Sequence, residues 1–401
     1  MTAIYLVWNP SGLAIAGDRA ISVVSHENKE GERETLFTYE AKKIFLDESK
    51  RLIVASADEV KINNVRVGDV IAEWMKSTAP RESLFDYAES FIHWLSEVSS
   101  LETAQDVAWV ESAFESQFRV ITEAFDDKNR KDLSRSDIIR EHYEYWKTIR
   151  PFNILGNSLE KDQIISESLD RDELYGEFCA RFQRYTMSEQ LNEHFLDEMH
   201  EKFSRSFSKV FTEISDLNAN EIDLLRTLSI DFNSNYISSV LPKASLMFAG
   251  YGTKDWLPLC VKMDVYQFET TRPLVSIKMA SSPLHTWFIG LAQEGGWSRY
   301  WRPVEDQILL EVKEKLLTKF KNRPYVGKVI EEIDDVLGQH TYDKINPIRE
   351  KIDSFPVQNL AFLASQMVAL ESLNSFIEEH LPGVGGKIDV VTMTKTTTDS
   401  R

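Results

Sequence analysis

The chain has 401 residues, 42% hydrophobic and 11% aromatic, with a formal net charge of -18; that length suits one elaborated domain or two to three ordinary ones, and that composition excludes a disordered or fibrous chain. A surface this acidic repels phosphate backbones and disfavours nucleic acid as a partner. Cys179 and Cys260 are too few for a disulfide framework, and with no basic, then apolar, leader and no uncharged apolar run of about 18 residues the expectation is a cytoplasmic protein with no membrane partner.

The chain opens on two short apolar runs rich in β-formers, separated by Asn9-Pro10-Ser11-Gly12. Pro at the second position and Gly at the fourth suit a type I turn, so the pattern predicts a hairpin. Thr2 then stands at the open end of a buried strand, and the returning strand carries Asp18 back beside it. Residues 25–34 are polar and charged and read as a loop. A second hairpin is expected over 43–47 and 51–57, turning at Asp47-Glu48-Ser49-Lys50.

From Asn63 the apolar period changes from two to near 3.6. Val67, Val70, Ile71 and Trp74 fall on one helical face, and Ser77-Thr78-Ala79-Pro80 ends that helix. Another starts near Ser83, with Leu84, Tyr87, Ala88, Phe91 and Leu95 inward. Val107, Val110, Phe114, Ile121 and Phe125 mark a further helix, stopping at the polar run 126–131. Beyond Ser188, helical spacing persists from Leu191 through Phe195, Met199, Phe203, Phe207 and Phe211 to Ile214. We therefore expect an all-helical insertion over 101–235, between core segments 1–100 and 236–294.

Strand character returns over 244–252, 257–266 and 274–279. A smaller, mostly helical insertion is expected over 295–355, followed by a long helix over 357–380. Leu381-Pro382-Gly383-Val384-Gly385-Gly386 turns the chain into a last strand over 387–394, and the polar tail 395–401 is expected to fray.

Several of these features together resemble the proteasome-type N-terminal-nucleophile hydrolases. They are the strand opening with Thr2, the turn ending in Gly12, Ala16-Gly17-Asp18, the later Lys42-Lys43-Ile44 entering a strand, and the ending Gly385-Gly386-Lys387-Ile388-Asp389-Val390-Val391-Thr392-Met393-Thr394. The Ala-Gly-Asp form is closest to the bacterial HslV-like branch, and the Thr2-to-Asp18 spacing matches that family's spacing from catalytic Thr to catalytic Asp. The resemblance implies an α/β (α+β) fold, a four-layer αββα sandwich of two antiparallel sheets, here with large helical insertions. It implies a threonine peptidase with Thr2, Asp18 and Lys43 as its site, an oxyanion amide at Ala57 where the family has Gly, and a supporting serine at Ser281 or Ser282. It further implies a peptide or protein substrate, a homo-oligomer, a regulatory or unfoldase partner, and neither cofactor nor metal.

The chemistry fits those residue types. A hydroxyl is a poor nucleophile without an adjacent base, and a free α-amine, with a pKa of about 7.7 to 8.0, serves once Met1 is removed. A nearby cation lowers that pKa, and a carboxylate holds the cation in place. Against this, many chains begin Met-Thr for no catalytic reason. Asp18 and Lys43 have a plain reading as surface charges, and Arg19 one as the salt-bridge partner of Asp18. Where the family often has an Asp and a Ser before the final Gly-Gly, this chain has Leu381 and Val384. Two other classes therefore stay open, a catalytically inactive scaffold or interaction protein and a small-molecule amidase. The acidic and His residues around His194 and His200 lack the spacing of an i, i+4 zinc pair, and the aromatics near Tyr143 and Trp297 read as core.

Overall fold

The computed structural model describes residues 3–27, 33–38, 41–58, 61–62, 65–98, 108–125, 133–144, 204, 207, 217–235, 243–266, 274–280, 287–292, 312–313, 315–316, 326–379 and 385–400. The expected hairpin is β1 (Ala3–Asn9) and β2 (Gly12–Asp18), and every residue of both strands is buried. Asn9 fixes its turn. The side-chain oxygen accepts from the Ser11 amide at 2.9 Å, while the amide group donates to the carbonyls of Ile352 at 2.8 Å and Phe355 at 2.7 Å. Gly12 has φ +154°, and a Cβ there would come within 2.7 Å of the Met393 carbonyl oxygen, so the turn needs glycine.

The chain then forms β3 (Ile21–Glu27) and β4 (Arg33–Thr38), a two-stranded ribbon, before β5 (Ile44–Asp47), β6 (Leu52–Asp58) and the short pair β7 (Lys61–Ile62) and β8 (Val65–Arg66). The ribbon corrects the loop expected over 25–34 at its two ends, 25–27 and 33–34, which are strand; residues 28–32 lie outside the described residues. Pairing of Ile21 with Thr38 and of Val23 with Leu36 aligns the backbones, and the ladder runs on to Glu27 opposite Arg33. Charge along a segment does not prevent backbone pairing in a narrow ribbon.

Helices α1 (Val67–Ser77) and α2 (Leu84–Glu97) follow as the periodicity predicts. Ser83 caps α2 in a reciprocal box with Asp86. Next come α3 (Ala108–Phe125), helical residues 135–144 and α4 (Ala219–Asn235). Phe114 of α3 meets Phe207 edge-on with ring centroids 5.6 Å apart, and Ser229 of α4 donates to Gln117 of α3 at 3.2 Å. The helix expected over 191–214 lies almost wholly outside the described residues.

β9 (Lys243–Gly250), β10 (Leu259–Tyr266) and β11 (Leu274–Ala280) form a meander. β12 (Trp287–Ala292) was not foreseen. It lies beside β1 with Trp287 opposite Trp8 and Ala292 opposite Ala3. α5 (Val326–Asp353), α6 (Val357–Glu379), β13 (Ile388–Met393) and β14 (Thr398–Ser400) complete the described chain. β14 overturns the expected fraying of the tail. It covers the outer edge of β13, and Lys395 between them lays its ammonium over the rings of Tyr251 and Trp256 and donates to the Asp255 carbonyl.

These strands make two five-stranded antiparallel sheets, ordered β12-β1-β2-β13-β14 and β11-β10-β9-β6-β5. Strand alternation decides what each face buries. In β1, Ile4, Leu6 and Trp8 face the second sheet, where they meet Ile53, Ala55, Met247 and Ala249. Ala3, Tyr5 and Val7 face the other way, onto Leu360, Ala364, Met367 and Val368 of α6. The outer face of the second sheet carries α1 and α2. The architecture is thus α+β, two stacked antiparallel sheets with helices on both outer faces.

α6 is, over Val357–Ile377, long and apolar enough by length and composition to cross a membrane. Here one side packs on the first sheet and includes the buried Glu371, whose carboxylate accepts the Tyr5 hydroxyl at 2.7 Å.

The helix-to-sheet core turns on three rings. Phe91 lies 5.2 Å from Trp74 and 5.3 Å from Phe248, centroid to centroid, and all three are buried. Phe91→Ala removes one of three mutually contacting rings, since Trp74 and Phe248 also meet at 5.6 Å, and leaves a cavity; it is expected to cost about 3 to 5 kcal/mol, read as a lower denaturation midpoint in urea.

Candidate active site

Hairpin geometry brings the start of β1 and the end of β2 to one end of the first sheet's central strands, and there the chain buries a charge. Asp18, at 1% exposure, accepts from four donors. Oδ1 takes the Ala3 amide at 2.8 Å and the Lys43 ammonium at 2.9 Å; Oδ2 takes the Ala20 amide at 3.0 Å and the Gly385 amide at 3.3 Å. Lys43, at 5% exposure, also donates to the Ala20 carbonyl. Of the two adjacent lysines, Lys43 turns inward and Lys42 outward, its ammonium 5.5 Å from the centre of the Phe45 ring.

Burial holds the Lys43 ammonium below its ordinary pKa, and the charge and hydrogen bond of Asp18 push back against that fall. A buried ion pair is costly to assemble and far more costly to break, because the survivor is left uncompensated.

Asp18 and Lys43 are therefore brought together. Thr2, Ser281 and Ser282 lie outside the described residues, as do Leu381 and Val384. The peptide nitrogen that follows residue 2, that of Ala3, is described, and it bonds Asp18. Ala57 sits in β6 with its side chain in the core between the sheets, opposite Ser245 of β9. It neighbours Ser56, whose amide donates to the Lys43 carbonyl at 3.0 Å, so the Ser56 amide is already engaged.

Arg19 has another partner than the sequence suggested. Its guanidinium grips Asp389 at two points, Nε to Oδ2 and Nη2 to Oδ1, both at 2.7 Å. Asp389 went unread as a site residue because its proximity depends on the β2–β13 register, which sets it opposite Gly17. A second polar cluster beside Ala57 was also missed. Ser245 donates to Asp264 at 2.7 Å and Lys243 reaches the same carboxylate at 2.8 Å. Lys262, on the same strand as Asp264, donates across to the Gly290 carbonyl of β12 at 3.0 Å. No single-strand pattern signals this cluster, since its members meet only across the β9–β10 ladder.

Other chemistry finds little support among the described residues. No group of three or more His, Cys, Asp or Glu there is disposed to hold a metal ion. Cys260 is buried in the core between the sheets, and burial pushes its thiol up, away from a reactive thiolate. An open groove of about 720 Å³ lies along α1 and α2, lined in part by Trp74, Ser90 and Trp94. It belongs to the outer side of the second sheet, across that sheet from the core between the sheets.

The fold and site define an α+β protein of two packed antiparallel sheets, with a buried Asp–Lys pair at the open end of its first hairpin. No protein-family model and no curated protein matches the chain. Among solved structures it is similar to the Gly-1 mutant of Anbu from Hyphomicrobium sp. strain MC1. The identity is 9%, the alignment covers 100% of this chain and 85% of that one, and the TM-score is 0.28. A likeness that slight leaves function to be argued from the site.

Lys43→Ala strands the Asp18 charge and is expected to lower stability by about 3 to 5 kcal/mol, measured by chemical denaturation. The pH dependence has a definite sign. Because the folded-state pKa of Lys43 lies below the unfolded value of 10.5, the unfolded chain binds more protons in that interval. The stability difference between the unsubstituted protein and Lys43→Met should therefore grow as pH rises toward 10.5.

Proposed function

We propose that this chain is a proteasome-like threonine hydrolase acting on peptide or other amide bonds. One observation carries the reading. A single carboxylate oxygen of Asp18 is shared between the Lys43 ammonium and the peptide nitrogen that follows Thr2, so a buried cation and its anchor stand one peptide unit from the proposed nucleophile. The arrangement of two stacked antiparallel sheets between helices, with the first hairpin buried at its centre, supports assignment to the N-terminal-nucleophile sandwich.

In this reading Met1 is removed and the freed α-amine of Thr2 takes the proton from its own hydroxyl as Oγ attacks the carbonyl carbon. Lys43 lowers the pKa of that amine, and Asp18 holds Lys43. The developing oxyanion is received by the backbone amide at Ala57, with Ser281 or Ser282 as the supporting serine. The amine passes its proton to the leaving nitrogen, the C–N bond breaks, and the acyl ester on Thr2 is cleaved by water. The substrate is a peptide or protein, the protein a homo-oligomer in the cytoplasm, and a regulatory or unfoldase partner delivers substrate.

A non-catalytic scaffold is the second reading. What favours it is that Asp18 already accepts three backbone amides, the role of a structural tie, and that Ala57 stands where glycine is expected.

Intact mass before and after exposure to an epoxyketone separates the two. The hydrolase should lack Met1 and gain one adduct that disappears in Thr2→Ala; retained Met1 with no adduct sinks the hydrolase reading and favours the scaffold.

A further inference from the structure

Asp18 presents Oδ1 to Lys43 and Ala3 only while Oδ2 is held, and one of the two groups holding Oδ2 belongs to the turn that enters the last strand. That turn is intrinsically loose. Gly385 and Gly386 adopt φ of +157° and +81°, and consecutive glycines carry the largest conformational freedom of any dipeptide. Something outside the turn must fix it if the Gly385 amide is to stay on Asp18.

The fixing group is close in both directions along the chain. Arg19 directly follows Asp18, and Asp389 follows the Gly385-Gly386-Lys387 turn. Their two-point contact uses the planar fork of the guanidinium, which constrains orientation as well as distance. It joins the end of β2 to the start of β13 on either side of Asp18. Isolated, so exposed a pair, with side chains 34% and 19% exposed, contributes modestly to global stability. Its placement gives it a different kind of leverage.

We propose that Arg19 and Asp389 are positioning residues for the candidate site. They hold the turn at 385–387 so that the Gly385 amide stays bonded to Asp18, and so determine how Asp18 presents Lys43 and the backbone after Thr2. The catalytic consequence rests on the hydrolase reading; the contact and its effect on the turn do not. Without the Gly385 donor, the Asp18 anion is less stabilised and draws the Lys43 proton more strongly. The alkaline limb of any rate that requires protonated Lys43 then moves to higher pH.

The test uses the full chain with Asp389→Asn, Arg19→Gln and the charge exchange combining Arg19→Asp with Asp389→Arg. Hydrogen exchange at the Gly385 amide should quicken about fivefold in each single variant, the size a part-exposed pair supports, and slow again in the exchanged pair, with β1 and β2 amides unchanged. Unaltered exchange at Gly385 overturns the proposal. The pH dependence of epoxyketone adduct formation at Thr2 should show its alkaline limb displaced upward in the single variants. A uniform loss of rate with both limbs in place overturns the positioning role. If the unsubstituted protein forms no adduct while Gly385 responds as expected, the hydrolase reading falls and the clamp on the turn stands.

Discussion

A carboxylate taken out of water must be given back nearly all of its hydrogen bonds, and Asp18 is given four. Its partners come from residue 3, residue 20, residue 43 and residue 385. Four stretches of chain are thus made to agree on one point in space. An apolar contact tolerates a shift of an ångström; a set of charge-assisted hydrogen bonds does not. Wherever the surrounding helices and loops vary, this point constrains the open end of the first hairpin.

The sheets supply what that point requires, which is freedom from water. β1 and β2 have no solvent face; one side meets the second sheet and the other meets α6. The charge sits where the two strands end. That placement resolves a conflict, since a buried lysine and a buried aspartate would weaken the middle of a strand pair, while at its end they also satisfy backbone amides that the ladder no longer pairs. The second sheet repeats the pattern at Ser245 and Asp264, opposite Ala57, with Lys243 closing the charge.

Local pattern made part of this legible. The period-two runs flanking Asn9-Pro10-Ser11-Gly12 identify the hairpin, and the shift to a 3.6 period at Val67 identifies α1, because both signals lie within one element. Asp18 was readable for the same reason, standing at the end of a strong apolar strand, whereas Lys43 was singled out by the family resemblance of Lys42-Lys43-Ile44 and not by any local period. The ribbon of β3 and β4 was hidden by Glu27 and Arg33, whose polarity reads as loop although backbone pairing ignores it. β12 and β14 were hidden because short strands at the rim of a sheet take their order from the neighbour they cover. Arg19 with Asp389, and Ser245 with Asp264, are products of strand register, which no reading of a single segment contains.

The order of the strands has a further consequence, for the time course of folding. β9, β10 and β11 can pair as soon as they are made, as can β1 with β2 and β5 with β6. The remaining ladders join distant segments: Ala57 finds Ser245, Trp8 finds Trp287, and Asp18 finds Ile388. Closing such long loops is slow, because chain entropy is spent before the pairing repays it. Until residues 287–292 and 388–393 arrive, the first hairpin is apolar on both faces and unpaired along both edges, a template for another copy of itself. The strand pair at the centre of the native core is, on the way there, the segment most exposed to misassembly.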